Sequence, residues 1–242
     1  MKIKHYLMLG AAALAMITGF FLPNAVAGVM DGRRLDNLTM IDSQSVSFDA
    51  APELGLFSRI AIAANSSSEV FPLKTGTVMD FEAASKTVSR ELEKFSKNKA
   101  LGLEYSKYTL EDGAASLMVD SFAPTRSLIV WEMTLADPSG SALTVVIDDE
   151  TGAILRLVQK WASAADSKVA SGSQEPTDER LYAAAQGLTE MMTAYYGYQV
   201  ELADYQFSGS LSYYKADITD GGLRVPMYGV VRATGFTMNE RV

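Results

Sequence analysis

Three consecutive acids, Asp148, Asp149 and Glu150, stand between two apolar runs in TVVIDDETGAILRL (144–157), where they could ligate a metal or move protons. Calcium demands about six to eight oxygen ligands, and this loop lacks the D-x-D-x-D-G spacing that supplies them. Paired catalytic carboxylates in glycosidases stand about 5 to 10 Å apart and come as a rule from different elements, not from adjacent residues. A turn accounts for every residue instead. Gly152 can take the positive φ that closes a short loop, and Asp148 or Asp149 can accept hydrogen bonds from loop amides. The stretch is therefore expected to be the turn of a β-hairpin.

Other residues invite chemistry at looser spacing. S-x-x-K occurs as Ser96–Lys99 and Ser212–Lys215, and K-T-G as Lys74-Thr75-Gly76, the parts of an acyl-enzyme system in which lysine activates serine. With 23 serines and 11 lysines in 242 positions, about one S-x-x-K arises by chance (23 × 11 / 242). K-T-G also precedes both candidates, whereas it comes last in that system. A hydrolase built from carboxylates alone could draw on Glu104, Glu132, Glu201 and Asp217. It would require them to converge in one pocket. His5 is the only histidine and cysteine is absent. Beyond His5 the chain thus lacks imidazole bases, Ser-His-Asp and Cys-His nucleophiles, and the usual zinc, copper or haem ligands. The reading is a protein that is not an enzyme, with no catalytic, cofactor or metal residue to name and a binding face that the sequence leaves unspecified.

The N-terminus supplies an address. Lys2 and Lys4 precede an uncharged apolar run from Tyr6 to Leu22, followed by Pro23 and Ala25-Val26-Ala27, the three zones of an export signal. The run would span about 25 Å as a helix against a hydrocarbon core of about 30 Å. Residues 1–27 therefore read as a signal peptide, with an uncleaved membrane anchor as the alternative. Formal net charge is −8, and loss of Lys2 and Lys4 makes it −10. An acidic surface removes the main electrostatic term of nucleic-acid binding. An exported chain without cysteine points to a Gram-positive envelope or secreted protein, stabilised by packing rather than by disulfides.

The elements follow from periodicity. Residues 28–76 read as a spacer carrying a short helix at 53–64, where Leu54, Phe57, Ile60, Ala61 and Ala64 recur at helical spacing. A helix capped by Thr77 places Phe81, Ala84, Val88, Leu92 and Phe95 on one face. Strands are expected at 103–110, 114–121, 127–136, 142–148 and 153–160, separated by turn residues. Residues 162–176 read as a linker. The pattern then restarts at Thr177, with Leu181, Ala184, Leu188, Met192 and Tyr195 at an offset of 100, and with Glu201 and Tyr205 echoing Glu104 and Tyr108. Further strands are expected at 210–218 and 222–234. The fold expected is α+β, with two helix-plus-antiparallel-sheet (αβββ) units at 77–161 and 177–242. Trp131 and Trp161 are expected in the core, and Tyr195, Tyr196, Tyr198, Tyr205, Tyr213 and Tyr214 chiefly between helix and sheet.

Trp131, Asp148, Thr151, Gly152 and Ile154 also match the Trp-containing strand and V-x-hydrophobic-D-x-x-T-G-x-hydrophobic hairpin of PepSY-type domains, which residues 77–160 resemble. Residues 177–240 resemble them more faintly, without the D-x-x-T-G hairpin. The resemblance implies a tandem, extracytoplasmic, non-catalytic module that masks or modulates a protein or peptide partner, often a peptidase, or senses in the envelope. It carries over no catalytic residue. A carboxylate-only hydrolase acting on cell-envelope material and a structural envelope component are the alternatives.

Overall fold

The computed structural model describes residues 54–97, 105–162 and 177–240. Residues 1–53, with the expected signal, and 163–176, nearly all of the expected linker, lie outside them. Among the described residues no helix is long and apolar enough to cross a membrane.

Helix α1 (Leu56–Ala64) turns directly into strand β1 (Glu69–Leu73), which lies within the expected spacer. Helix α2 (Phe81–Ser96) precedes β2 (Thr109–Val119), β3 (Ser127–Ala136), β4 (Ala142–Asp148) and β5 (Ile154–Lys160). Helix α3 (Asp178–Tyr196) precedes β6 (Gln199–Ser208), β7 (Leu211–Asp220), β8 (Leu223–Arg232) and β9 (Gly235–Met238). All strands join one antiparallel sheet in the order β1-β2-β3-β4-β5-β9-β8-β7-β6.

This overturns the expectation of two small αβββ units. Each long helix leads into four strands, not three, and the last strands of the two meanders, β5 and β9, pair with each other. One register row, Gly113–Met133–Val145–Leu157–Met238–Gly229–Tyr214–Tyr205, therefore crosses nearly the whole sheet on a single face. Side chains alternate between faces, so the row belongs to one continuous core. β9, which makes the join, is only four residues long. Its sequence Gly-Phe-Thr-Met is too short for alternation to reveal it as a strand.

One local expectation fails for a reason that recurs elsewhere in the sheet. The strands expected at 103–110 and 114–121 are not separate over their described residues, because Tyr105–Lys107 is a single 3₁₀ turn and Glu111-Asp112-Gly113 lies inside β2. The register shifts between Leu110 and Asp112, a bulge that the Asp112 carboxylate braces from the Gly113 amide. Strand β6 does the same between Leu202 and Asp204, with Asp204 accepting from the Tyr205 amide. A bulge places two residues opposite one and resets the alternation, so a continuous strand mimics a turn in the sequence. Thr77 is not the cap of α2 either. Asp80 is, accepting from the Ala83 amide, whereas Thr177 caps α3 without a side-chain hydrogen bond.

The helices α2 and α3 share one face of the sheet and touch each other. Trp131 meets the ring of Phe81, Tyr205 bonds Asp178, and Phe95 packs edge-on against Tyr195 at 5.4 Å. The offset of 100 holds for buried positions: Ala84 and Ala184, Val88 and Leu188, and Leu92 and Met192 all face the core. Phe81 departs from the expected apolar face, being 46% exposed. On the opposite face α1 lies against the end that bears the β4–β5 turn, where Arg59 reaches Asp148 and Ala63 lines a small hollow with Met118, Val130 and Val146.

Candidate functional site

The acidic turn is a structural clasp. Asp148 and Asp149 are both buried. The Asp148 carboxylate accepts from the Thr151 amide and hydroxyl at 2.7 and 2.6 Å, closing the turn, and from the Arg59 guanidinium at 2.9 Å. Asp149 reaches outward instead. It accepts from the amides of Thr77, Val78 and Met79, from the Thr77 hydroxyl and from the Trp131 indole N–H, at 2.8 to 3.1 Å. A carboxylate with five donors is saturated as an acceptor, so it anchors the loop that leads into α2. Gly76 has to be glycine because a β-carbon there would strike the Asp149 carboxylate. Arg59 also bonds Glu150 and the Leu54 carbonyl. Burial disfavours the guanidinium charge, yet Asp148 and Glu150 outweigh that and raise its pKa. The hairpin reading holds, and its long-range partners, Arg59 and residues 77–79, carried no signal in the sequence.

The described carboxylates offered for hydrolysis do not converge in one pocket. Glu104 lies outside the described residues. Glu132 on β3 pairs with Arg156 at 2.6 Å in partial exposure, Glu201 on β6 accepts from Gln199, and Asp217 on β7 pairs with Arg224 and Lys215 at 3.2 and 3.5 Å. Glu201 and Asp217 are cross-strand neighbours. Glu132 is six strand positions from β6, about 29 Å at about 4.8 Å per strand, well beyond the reach of a catalytic pair.

The Ser–Lys spacing is equally without consequence. Ser212 is buried on the helix-covered face, bonded to the Tyr205 hydroxyl at 2.7 Å, whereas Lys215 is on the other face beside Asp217. Ser96 spends its hydroxyl on the Glu93 carbonyl, and Lys99 lies outside the described residues.

Of the aromatic residues, Trp131 is core, as expected, and Trp161 is half-buried against Phe236. Tyr195 joins the two long helices to the sheet by donating to Glu91 at 3.0 Å while accepting from the Ile154 amide at 2.9 Å. Tyr196 and Tyr214 are buried and donate to the carbonyls of Ile154 and Thr237. Burial would push the Glu91 carboxyl upward, but Lys94, Arg90 and the Tyr195 hydroxyl outweigh it and hold the group below its usual range. Burial pushes the Tyr195 phenol well above its own.

What remains open is a sheet edge. Among the described residues β6 ends the strand order with β7 as its sole strand partner. Its two faces differ in chemistry. Leu202, Tyr205 and Phe207 follow the helix-covered side and, with Tyr182 edge-on to Tyr205 at 5.0 Å, make a partly exposed aromatic shelf. Glu201 and Asp204 follow the other side.

No family model matches the chain, nor does any curated protein or solved structure. The PepSY likeness therefore rests on Trp131, Asp148, Thr151, Gly152 and Ile154 alone, of which Trp131, Asp148 and Thr151 belong to or adjoin the clasp just described.

Proposed function

We propose that this protein is an exported, non-catalytic binding protein, secreted or held by its N-terminal segment, which takes up an extended partner segment along the free edge of β6. The observation that carries the reading is that β6 offers ten residues of edge backbone to an incoming strand, a mode in which main-chain hydrogen bonds supply affinity and alternate side chains supply specificity. The opposite edge is poorly suited. β1 has five residues, including Pro72, which lacks an amide hydrogen.

The flanking side chains define the partner. Directly opposed residues of an added strand stand about 5 Å away, so apolar residues would meet Leu202, Tyr205 and Phe207 while lysine or arginine would meet Glu201 and Asp204. The segment favoured alternates apolar with basic residues and belongs to another extracytoplasmic protein or peptide. A second copy of this chain fits less well, because pairing β6 with itself brings the Glu201 and Asp204 carboxylates of both copies to one seam.

Hydrogen exchange of the β6 amides with two peptides, one alternating Val with Lys and one alternating Val with Glu, tests this. The lysine peptide should protect 199–208 and the glutamate peptide should not. Equal protection, or none, would overturn the reading, as would protection that rises with protein concentration in the absence of peptide.

A further inference from the structure

We propose that Lys160 and Arg232 form a phosphate-binding site over Gly235, on the sheet face opposite α2 and α3. The site is independent of the β6 edge. Lys160, Gly235 and Arg232 occupy one register row across β5, β9 and β8. By the alternation of the sheet this row shares its face with Arg156 and Val146, at the end away from α1. The two cations are therefore two strand spacings apart, about 10 Å, with no side chain between them. Gly235 cannot be replaced, because a β-carbon there would strike the Gln159 carbonyl. A hollow of about 240 Å³ adjoins this row; besides the two cations it is lined by Val158, Val230, Thr234 and Thr237 and, from positions that alternate to the other face, by Gln159, Trp161 and Phe236.

Charge distinguishes this place from the rest of the face. Arg156, Lys215 and Arg224 all have carboxylate partners. Lys160 and Arg232 are exposed, and among the described residues no carboxylate pairs with either. In a chain of net charge −8, two cations that line one hollow and have no carboxylate partner among the described residues, with two threonine hydroxyls beside them, suit a tetrahedral oxyanion. The arginine fork can hold two oxygens while the lysine contributes a point charge to a third. The volume equals about eight waters at about 30 Å³ each, room for a phosphate with a small ester group. It falls below the roughly 300 Å³ at which pockets for drug-sized ligands begin.

Titration of the full chain with inorganic phosphate and, separately, with glycerol phosphate at constant ionic strength tests the site. Readouts are the amide resonance of Gly235 and the fluorescence of Trp161, the other tryptophan being buried on β3. Saturable binding is expected, weakened about tenfold by either K160Q or R232Q, since one hydrogen-bonded charge is worth about 1.5 kcal/mol or more. K160R should retain binding, which separates loss of charge from loss of fold. Tighter binding of the ester would identify a phosphorylated molecule as the natural source, and equal binding free phosphate. A linear response, a response that chloride reproduces, or one unchanged in the K160Q/R232Q double variant would overturn the proposal.

Discussion

The two helix-and-meander halves of the sheet are finished differently. In the first, β1 covers the outer edge of β2 from Ala115 to Val119, and the last hairpin turn is tied through Asp149 to the loop before α2. In the second, no strand among the described residues covers β6, and Ala233 and Thr234 connect β8 to β9 without a carboxylate. Edge amides and carbonyls satisfied within the chain have nothing left to offer a partner, whereas those of β6 do. The lesson is that halves of matching order can differ in role because of what is added at their margins, a short strand and a clasp.

Breaking the clasp should have the largest effect. Asp149→Ala strands three amides, a hydroxyl and an indole N–H and should cost about 3 kcal/mol or more in chemical denaturation. Thr234→Ala, in the corresponding turn of the second half, should stay within about 0.5 kcal/mol. Equal costs would mean that the two turns are not the contrast they look.

Where the halves meet, Glu91→Gln should cost about 1.5 to 3 kcal/mol at neutral pH, since the Tyr195 hydroxyl loses a charged acceptor. Glu91 is held below its unfolded pKa, so its contribution is present above that value and disappears as pH falls through the folded one. The wild type should therefore lose stability on acidification below the usual carboxylate range by a component that the Gln variant lacks. Urea midpoints measured across that range check it.

A smaller contrast concerns the helix starts. Asp80→Ala should cost about 1 kcal/mol, and Thr177→Ala only a few tenths, because the Asp80 side chain alone makes a capping bond. Smallest of all on stability is Phe207→Asp, within about 0.5 kcal/mol by thermal unfolding at this exposed edge position, although it should abolish protection of β6 by the apolar–basic peptide.

Much of the local structure was legible. The acidic hairpin turn, the burial of Trp131 and the core faces of α2 and α3 all follow from short-range spacing. The bulges in β2 and β6 were not, since an inserted residue breaks the period on which strand reading depends. The candidate site was less legible still. Glu132, Glu201 and Asp217 are conspicuous as residue types yet lie far apart or in ion pairs, whereas Lys160, Gly235 and Arg232 are unremarkable until β9 brings them into one row.

By itself the sequence determined which segments are helices, where most strands run and which nucleophile-activating side chains the chain lacks, because these depend on composition and on neighbours a few residues away. Only the tertiary structure decided that two meanders become one sheet, that Asp149 serves residues some seventy positions earlier, and that one edge is a short strand with a proline and the other a strand of ten residues. Those outcomes depend on which strand pairs with which. A four-residue strand with no periodic signature of its own settles that pairing through the backbone hydrogen bonds it makes on both sides.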